Sequence, residues 1–155
     1  MWQRKQTVFL AIAIASLVGM IFFPVWEAKM DAMRLTLYPL YYRAQVGTTA
    51  PSEIYFPYCI IAILGIAAAT IAFMEIGKFE NRLLQLKLGA LNSLLMAGCM
   101  GSAAYLMIKL VQANHTAGNY RVSLFLPAVA MVCNAIANRF IRKDEKLVKN
   151  SERLR

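Results

Sequence analysis

Few side chains in this sequence are of the types that carry out acid–base or nucleophilic chemistry. The single histidine, His115, and two acids, Glu27 and Asp31, fall in hydrophilic segments between long apolar stretches. Hydrolysis or proton transfer would need paired carboxylates, a metal cluster or a nucleophile beside its base. The spacing of these three residues matches no such arrangement. The sequence therefore predicts a protein that is not an enzyme, with no catalytic residue.

The three cysteines, Cys59, Cys99 and Cys133, all lie inside apolar stretches. An odd number of cysteines without a C-x-x-C pair is typical of neither a disulfide framework nor a zinc site. A haem held by two histidines is excluded because the chain has one. We interpret the cysteines as small packing residues and predict no metal site and no cofactor.

Three asparagines, Asn92, Asn134 and Asn138, are the most polar residues well inside the apolar stretches. Amides buried in an apolar environment need hydrogen-bond partners. They could bond between helices, each bond being worth about 0.6–2 kcal/mol, or they could line a ligand or ion site. Because no carboxylate or histidine accompanies them, the interhelical interpretation is favoured.

Glu75 is the only acid that falls inside one of the four apolar stretches, and it lies near one end of the second. Lys78 and Arg82 follow at helical spacing, so we expect them to shield its charge. A proton relay would need acids near the middle of a membrane, and the sequence places none there.

The composition indicates a membrane protein. Hydrophobic residues make up 59% of the 155 residues and charged residues 16%. A soluble chain of this length could not bury so much apolar surface. The apolar residues fall into four blocks, and crossing a bilayer takes about 20 helical residues. The fold class predicted is an all-α four-transmembrane-helix bundle forming a single domain, residues 1–155, with helices at about 6–26, 54–76, 87–108 and 122–141.

The distribution of basic residues sets the predicted orientation. Five of the 17 Lys and Arg residues lie in the predicted outer loops, 27–53 and 109–121: Lys29, Arg34, Arg43, Lys109 and Arg121. The other twelve lie at the chain ends and around the inner loop, 77–86. Lys and Arg favour the cytoplasmic side, so both termini are predicted to be cytoplasmic. The same bias accounts for the net charge of +9. The basic charge therefore needs no nucleic-acid partner to explain it, and none is predicted.

Two hydrophilic segments have structure of their own. In the first outer loop, β-prone runs at 34–38 and 41–46 flank Pro39-Leu40, which suggests a small β-hairpin; an amphipathic helix is the alternative. The tail, 142–155, is expected to continue the fourth helix or to bend onto the membrane surface. Anionic headgroups or a partner would contact its basic residues and those just before it: Arg139, Arg142, Lys143, Lys146 and Lys149.

Small residues at i, i+4 spacing predict the faces on which the helices pack. Such ridges let backbones approach closely inside a bilayer, where burial of apolar surface gives no driving force. We expect them to pack within the bundle, with a dimer or partner interface as the alternative. The predicted packing residues are Ala11, Ala15, Gly19, Gly65, Ala69, Gly89, Ser93, Ala97 and Gly101.

Several segments resemble those of a known family. They are Met1–Phe9, the end of the first span at Phe22-Phe-Pro24, the inner loop Phe79–Leu86 with Leu91-Asn92 after it, and the end, Arg139–Val148 and Arg153–Arg155. Together they are similar to an uncharacterised, domain-of-unknown-function family of small four-helix membrane proteins from Bacteroidota. The resemblance implies a bacterial inner membrane and this topology, and it implies no activity.

The function expected is therefore that of a non-enzymatic accessory or scaffold subunit of a membrane complex. Its partners would be anionic headgroups at the cytoplasmic face and another membrane protein or a second copy of the chain. The alternative is a small lipid or solute carrier or channel, which would act as an oligomer and would use the three asparagines.

Overall fold

Four long helices form an antiparallel bundle. The structure is a computed structural model and describes residues 3–30, 33–78 and 81–153. The helices are α1 (Gln3–Phe22), α2 (Ile60–Gly77), α3 (Arg82–Asn114) and α4 (Leu126–Arg153). Helices α1 and α3 each pack against both α2 and α4. Four long apolar helices are thus confirmed.

Each helix contains a stretch long and apolar enough to cross a bilayer. These stretches are Lys5–Phe22, Ile60–Gly77, Arg82–Asn114 and, counting the turn before α4, Val122–Leu147. At most 33% of each stretch is buried against the rest of the chain. Most of their apolar surface therefore faces outward, which is the pattern of helices that contact lipid.

An antiparallel sheet covers one end of the bundle, which we call the sheet end. It consists of β1 (Trp26–Met30), β2 (Met33–Leu37), β3 (Tyr42–Val46), β4 (Ser52–Ile54) and β5 (Asn119–Tyr120), in the order β4-β3-β2-β1-β5. The predicted hairpin is present as β2 and β3, with Leu37 opposite Tyr42. Strand β5 comes from the second loop, so the sheet joins the two loops that the sequence treats as separate.

The opposite end, which we call the turn end, contains the turn between α2 and α3, the N-terminal end of α1 and the C-terminal end of α4. Asn81 is the N-cap of α3: its Oδ1 accepts a hydrogen bond from the Leu84 N–H at 3.1 Å. Near the N-terminal end of α1, Gln6 Nε2 donates to Asp144 Oδ2 at 2.8 Å, and both side chains are buried. This bond pins α1 to the part of α4 that the sequence assigns to the tail.

The helix boundaries differ from those predicted. Helix α1 ends at Phe22 and not at 26, because Trp26 pairs with Leu37 and Tyr120 in the sheet. Helix α2 begins at Ile60 and not at 54, because Ile54 pairs with Tyr42. Hydropathy does not distinguish an apolar strand residue from a helical one, so the first and second predicted spans each include residues that lie in strands.

The other two helices are longer than predicted. Helix α3 extends beyond 87–108 at both ends. Helix α4 starts after a short 3-10 turn, Val122–Leu124, and continues without a break through 142–153. The expected tail is therefore a direct extension of α4, supported by the contact of Asp144 with α1.

Candidate functional site

Two of the three predicted asparagines meet at one point of the α3–α4 contact. Asn134 Nδ2 donates to the Gly89 carbonyl at 2.9 Å and contacts Ser93 Oγ at 2.9 Å. The carboxamide of Asn138 lies against Gly89, where a Cβ would collide with it. Asn92, fully buried, follows on the same face of α3. Asn134 thus forms a hydrogen-bonded tie between two helices, as the interhelical interpretation expects.

The hydrogen-bonding capacity of this amide cluster is not fully used. Within the described residues, Asn92 Oδ1 and Nδ2, Asn134 Oδ1 and Asn138 Oδ1 are buried and have no partner. An unpaired buried polar atom costs about 1–3 kcal/mol. The cluster therefore carries polar atoms that the packing of the bundle alone does not require.

Glu75 differs most from what the sequence predicts. It is fully buried near the end of α2, and neither carboxylate oxygen has a hydrogen-bond partner among the described residues. The shielding expected from Lys78 and Arg82 is wrong: Lys78 is exposed, and Arg82 Nη1 is itself buried without a partner. The backbone carbonyl of Glu75 accepts a hydrogen bond from Gln85 Nε2 at 3.0 Å.

Four of the five predicted headgroup-contacting residues line one cleft. The cleft has a volume of about 450 Å3 and is lined by Ile136, Arg139, Phe140, Arg142, Lys143 and Lys146. All six belong to α4, which brings them to one side because they recur at helical spacing. Lys149 lies in the same helix, but its side chain is outside the described residues.

The small-residue ridges are divided between the inside and the outside of the bundle. Gly65 is buried where a Cβ would meet the Met20 side chain, and Gly89 is buried against Asn138. Ser93 and Ala69 are half-buried. By contrast, four predicted packing residues are exposed on the outer surface: Ala11 and Ala15 of α1, and Ala97 and Gly101 of α3.

The expectation that the small residues pack within the bundle is wrong for these four, because their side chains lie on its surface. Helix α1 uses a different face for that purpose, which contains Leu10, Ala13, Leu17 and Met20. A helix has 3.6 residues per turn, so an i, i+4 row drifts around the axis and leaves the contact after two turns. Gly19, half-buried, and Gly101 have no other atom within 4 Å of a Cβ position.

At the sheet end, Glu27 holds three strands together. Its Oε1 accepts from Arg34 Nε at 2.8 Å on β2, and its Oε2 accepts from Arg121 Nη2 at 2.5 Å, next to β5. Burial alone would raise the pKa of Glu27. The hydrogen bonds from Arg121 and Arg34 outweigh that effect, so the pKa lies below its ordinary value of 4.5.

This pKa predicts how the sheet responds to acid. A depressed pKa in the fold means that the contribution of Glu27 to stability is present above its ordinary pKa and is lost as the pH falls through the folded value. In a Trp2→Phe background, Trp26 fluorescence should change on acidification with a midpoint below 4.5. Glu27→Gln should abolish that transition and should loosen the sheet at neutral pH.

Glu53 provides the matched control. It is an exposed carboxylate of the same sheet, whose pKa is lowered by a hydrogen bond from Arg43. Glu53→Gln should leave the acid transition at Trp26 in place, because Glu53 bonds to Arg43 of β3 and to Tyr55 just after β4, and strand β2 separates β3 from the β1 strand that carries Trp26. An unchanged transition in Glu27→Gln would contradict the assigned role of Glu27.

Of the three residues considered for chemistry, the described structure includes Glu27 and His115. Glu27 forms ion pairs with Arg34 and Arg121. His115 is exposed, and its left-handed backbone (φ 49°) ends α3. Asp31 lies outside the described residues. Within residues 3–30, 33–78 and 81–153, no group of three or more His, Cys, Asp or Glu side chains could hold a metal ion.

Several contacts that the sequence analysis missed join residues far apart in the chain. Glu27 and Arg121 are separated by 94 positions, and Gln6 and Asp144 by 138. Trp26 is fully buried, and Gly118 lies so close to its indole that a Cβ would collide with the ring. No spacing or local motif pairs such residues, so a single sequence carries no signal for them.

Comparison with known families identifies the class of this chain. Residues 2–154 match the model of a domain of unknown function, DUF4293. The chain belongs to this family over nearly its whole length. No curated protein matches it.

Proposed function

We propose that this chain is a multi-pass protein of a bacterial inner membrane, with both termini cytoplasmic, that serves as a non-enzymatic accessory or scaffold subunit. The four apolar helices support membrane insertion. The structure separates the basic residues of the two connecting loops, at the sheet end, from the larger set at the turn end. That asymmetry supports a cytoplasmic turn end.

The observation that carries the accessory role is open space at outward-facing small residues. Glycine in the interior of a helix costs about 1 kcal/mol relative to alanine. Gly101 is exposed, and no other atom lies within 4 Å of a Cβ position there, so packing within the chain does not require it. Together with Ala97 it forms a flat surface on α3 that suits the close approach of another membrane helix.

The test uses bulk added to this surface. Ala97→Leu should strongly reduce co-purification of a membrane partner, or of a second copy, after crosslinking in intact membranes and mild solubilisation. The fold should be retained, because Ala97 is exposed. Ala135→Leu makes the same change at an exposed position of α4 and should leave association intact.

Two results would contradict the accessory role. One is recovery of the wild-type chain alone under several mild conditions. The other is equal loss of association in Ala97→Leu and Ala135→Leu, which would mean that the α3 surface has no special part in it.

The carrier alternative depends on the unpartnered atoms of Asn92, Asn134 and Asn138. It requires these amides to face a path for a solute. Asn134 instead donates to the α3 backbone, and that bond favours a role in packing.

A further inference from the structure

The cleft on α4 combines two kinds of surface. Ile136 and Phe140 are half-buried and supply its apolar part, while Arg139, Arg142, Lys143 and Lys146 are exposed and supply four positive charges. Phe140 is held in place by stacking on Phe9 of α1, with ring centroids 5.9 Å apart. The cleft thus has a fixed apolar floor and a cationic rim.

The basic side chains of the rim outnumber the acids of the same segment, Asp144 and Glu145, by four to two. None of the four basic side chains forms an ion pair within the described residues, where the three ion pairs all lie at the sheet end. Two acids lie in the same segment: Asp144 is buried and its Oδ2 accepts from Gln6 of α1, and Glu145 is half-buried. Neither forms an ion pair with a basic side chain of the cleft, so a ligand there would meet four cationic groups that are free to bind it.

The position of the cleft along α4 matches the boundary of a bilayer. The apolar stretch of this segment begins at Val122, and a hydrocarbon core is crossed by about 20 helical residues at 1.5 Å each. The crossing then ends near Ile141, so Ile136 lies within the acyl chains, Arg139 lies in the last turn before the headgroups, and Arg142, Lys143 and Lys146 lie at headgroup level. Arginine binds phosphate through two parallel hydrogen bonds, and lysine binds it as a point charge.

We propose that this cleft is a specific binding site for a phospholipid whose headgroup contains two phosphates. Four cationic side chains match two phosphates better than one. The volume of about 450 Å3 also exceeds what a single small anion fills, since a water molecule occupies about 30 Å3. The acyl chains would lie along Ile136 and Phe140. This inference rests on the membrane insertion proposed above and adds a particular lipid to it.

The experiment compares two lipids at equal total charge. The full chain is reconstituted into phosphatidylcholine bilayers containing either diphosphatidylglycerol or twice the molar amount of phosphatidylglycerol. The lipid that remains bound after mild extraction is counted by native mass spectrometry. We expect one diphosphatidylglycerol per chain and little retained phosphatidylglycerol.

Charge-matched variants locate the site. Arg139→Gln combined with Lys143→Gln should weaken retention about tenfold or more, because each basic residue near the surface contributes measurably to anionic lipid binding. Lys78→Gln combined with Lys87→Gln removes the same charge from exposed positions of the turn end outside the cleft, and it should retain the lipid.

Three results would overturn the inference. The first is equal retention of the two lipids, which would indicate bulk electrostatic attraction only. The second is unchanged retention in the Arg139 and Lys143 variant. The third is displacement of the lipid by inorganic pyrophosphate, which would indicate a site for free phosphate groups. Failure to insert into any of the bilayers would instead refute the proposed membrane function, and this inference with it.

Discussion

Replacing Glu75 by leucine should stabilise the protein, by about 2 kcal/mol in its free energy of unfolding. Glu75 is fully buried, and neither carboxylate oxygen has a partner in the described residues. The fold therefore bears the cost of an unsatisfied polar group, which leucine removes while keeping a similar volume. The measurement is reversible unfolding in mixed detergent micelles, followed by circular dichroism.

Two variants separate the carboxyl group from other effects. Glu75→Gln keeps the shape and leaves an amide unsatisfied, so its gain should be smaller than that of leucine. Thr70→Leu adds leucine at an exposed position of the same helix and should change stability little. If Glu75→Leu lowered the free energy of unfolding, the carboxyl group would have to be engaged by a partner that stabilises the fold.

Gly118→Ala should have the opposite effect and destabilise the sheet end by about 1–3 kcal/mol. Its backbone lies against the indole of Trp26, and a Cβ there would collide with ring atoms. The ring cannot move aside easily, because Trp26 is fully buried and its strand pairs on both sides. The loss should appear as a lower free energy of unfolding and as a shifted Trp26 emission in a Trp2→Phe background.

Gly19→Ala is the matched control. It makes the same substitution in α1, where nothing else lies within 4 Å of the new methyl group. Because alanine favours a helix more than glycine does, this variant should be neutral or slightly stabilised. Equal destabilisation by the two substitutions would show that the contact between Gly118 and Trp26 is not responsible.

The helices could be predicted from the sequence because four uncharged apolar blocks leave few other structures. The β2–β3 hairpin could also be predicted, since its runs have β-prone residues around Pro39. Strands β1, β4 and β5 could not. Trp26 and Ile54 extend apolar blocks continuously, and only their partners in the sheet assign them to strands.

The candidate sites could be predicted in part. The basic residues of the cleft recur at helical spacing within one helix, so sequence alone places them together. The surroundings of Glu75 depend on how α2 and α3 meet, and helical spacing to Lys78 and Arg82 gives the wrong expectation. Residues spaced by four turn gradually around a helix that has 3.6 residues per turn. The spacing alone does not show which of them still face the bundle, so the exposure of Ala97 and Gly101 could not be predicted.

Cysteine labelling in intact cells tests the proposed topology most directly. In a background with Cys59, Cys99 and Cys133 replaced by serine, single cysteines are introduced at two exposed positions, Ala50 at the sheet end and Lys78 at the turn end. A maleimide that cannot cross the inner membrane should label Ala50→Cys at once and Lys78→Cys only after that membrane is permeabilised. Labelling of Lys78→Cys in intact cells, or recovery of the chain in the aqueous fraction without detergent, would contradict a membrane protein with cytoplasmic termini.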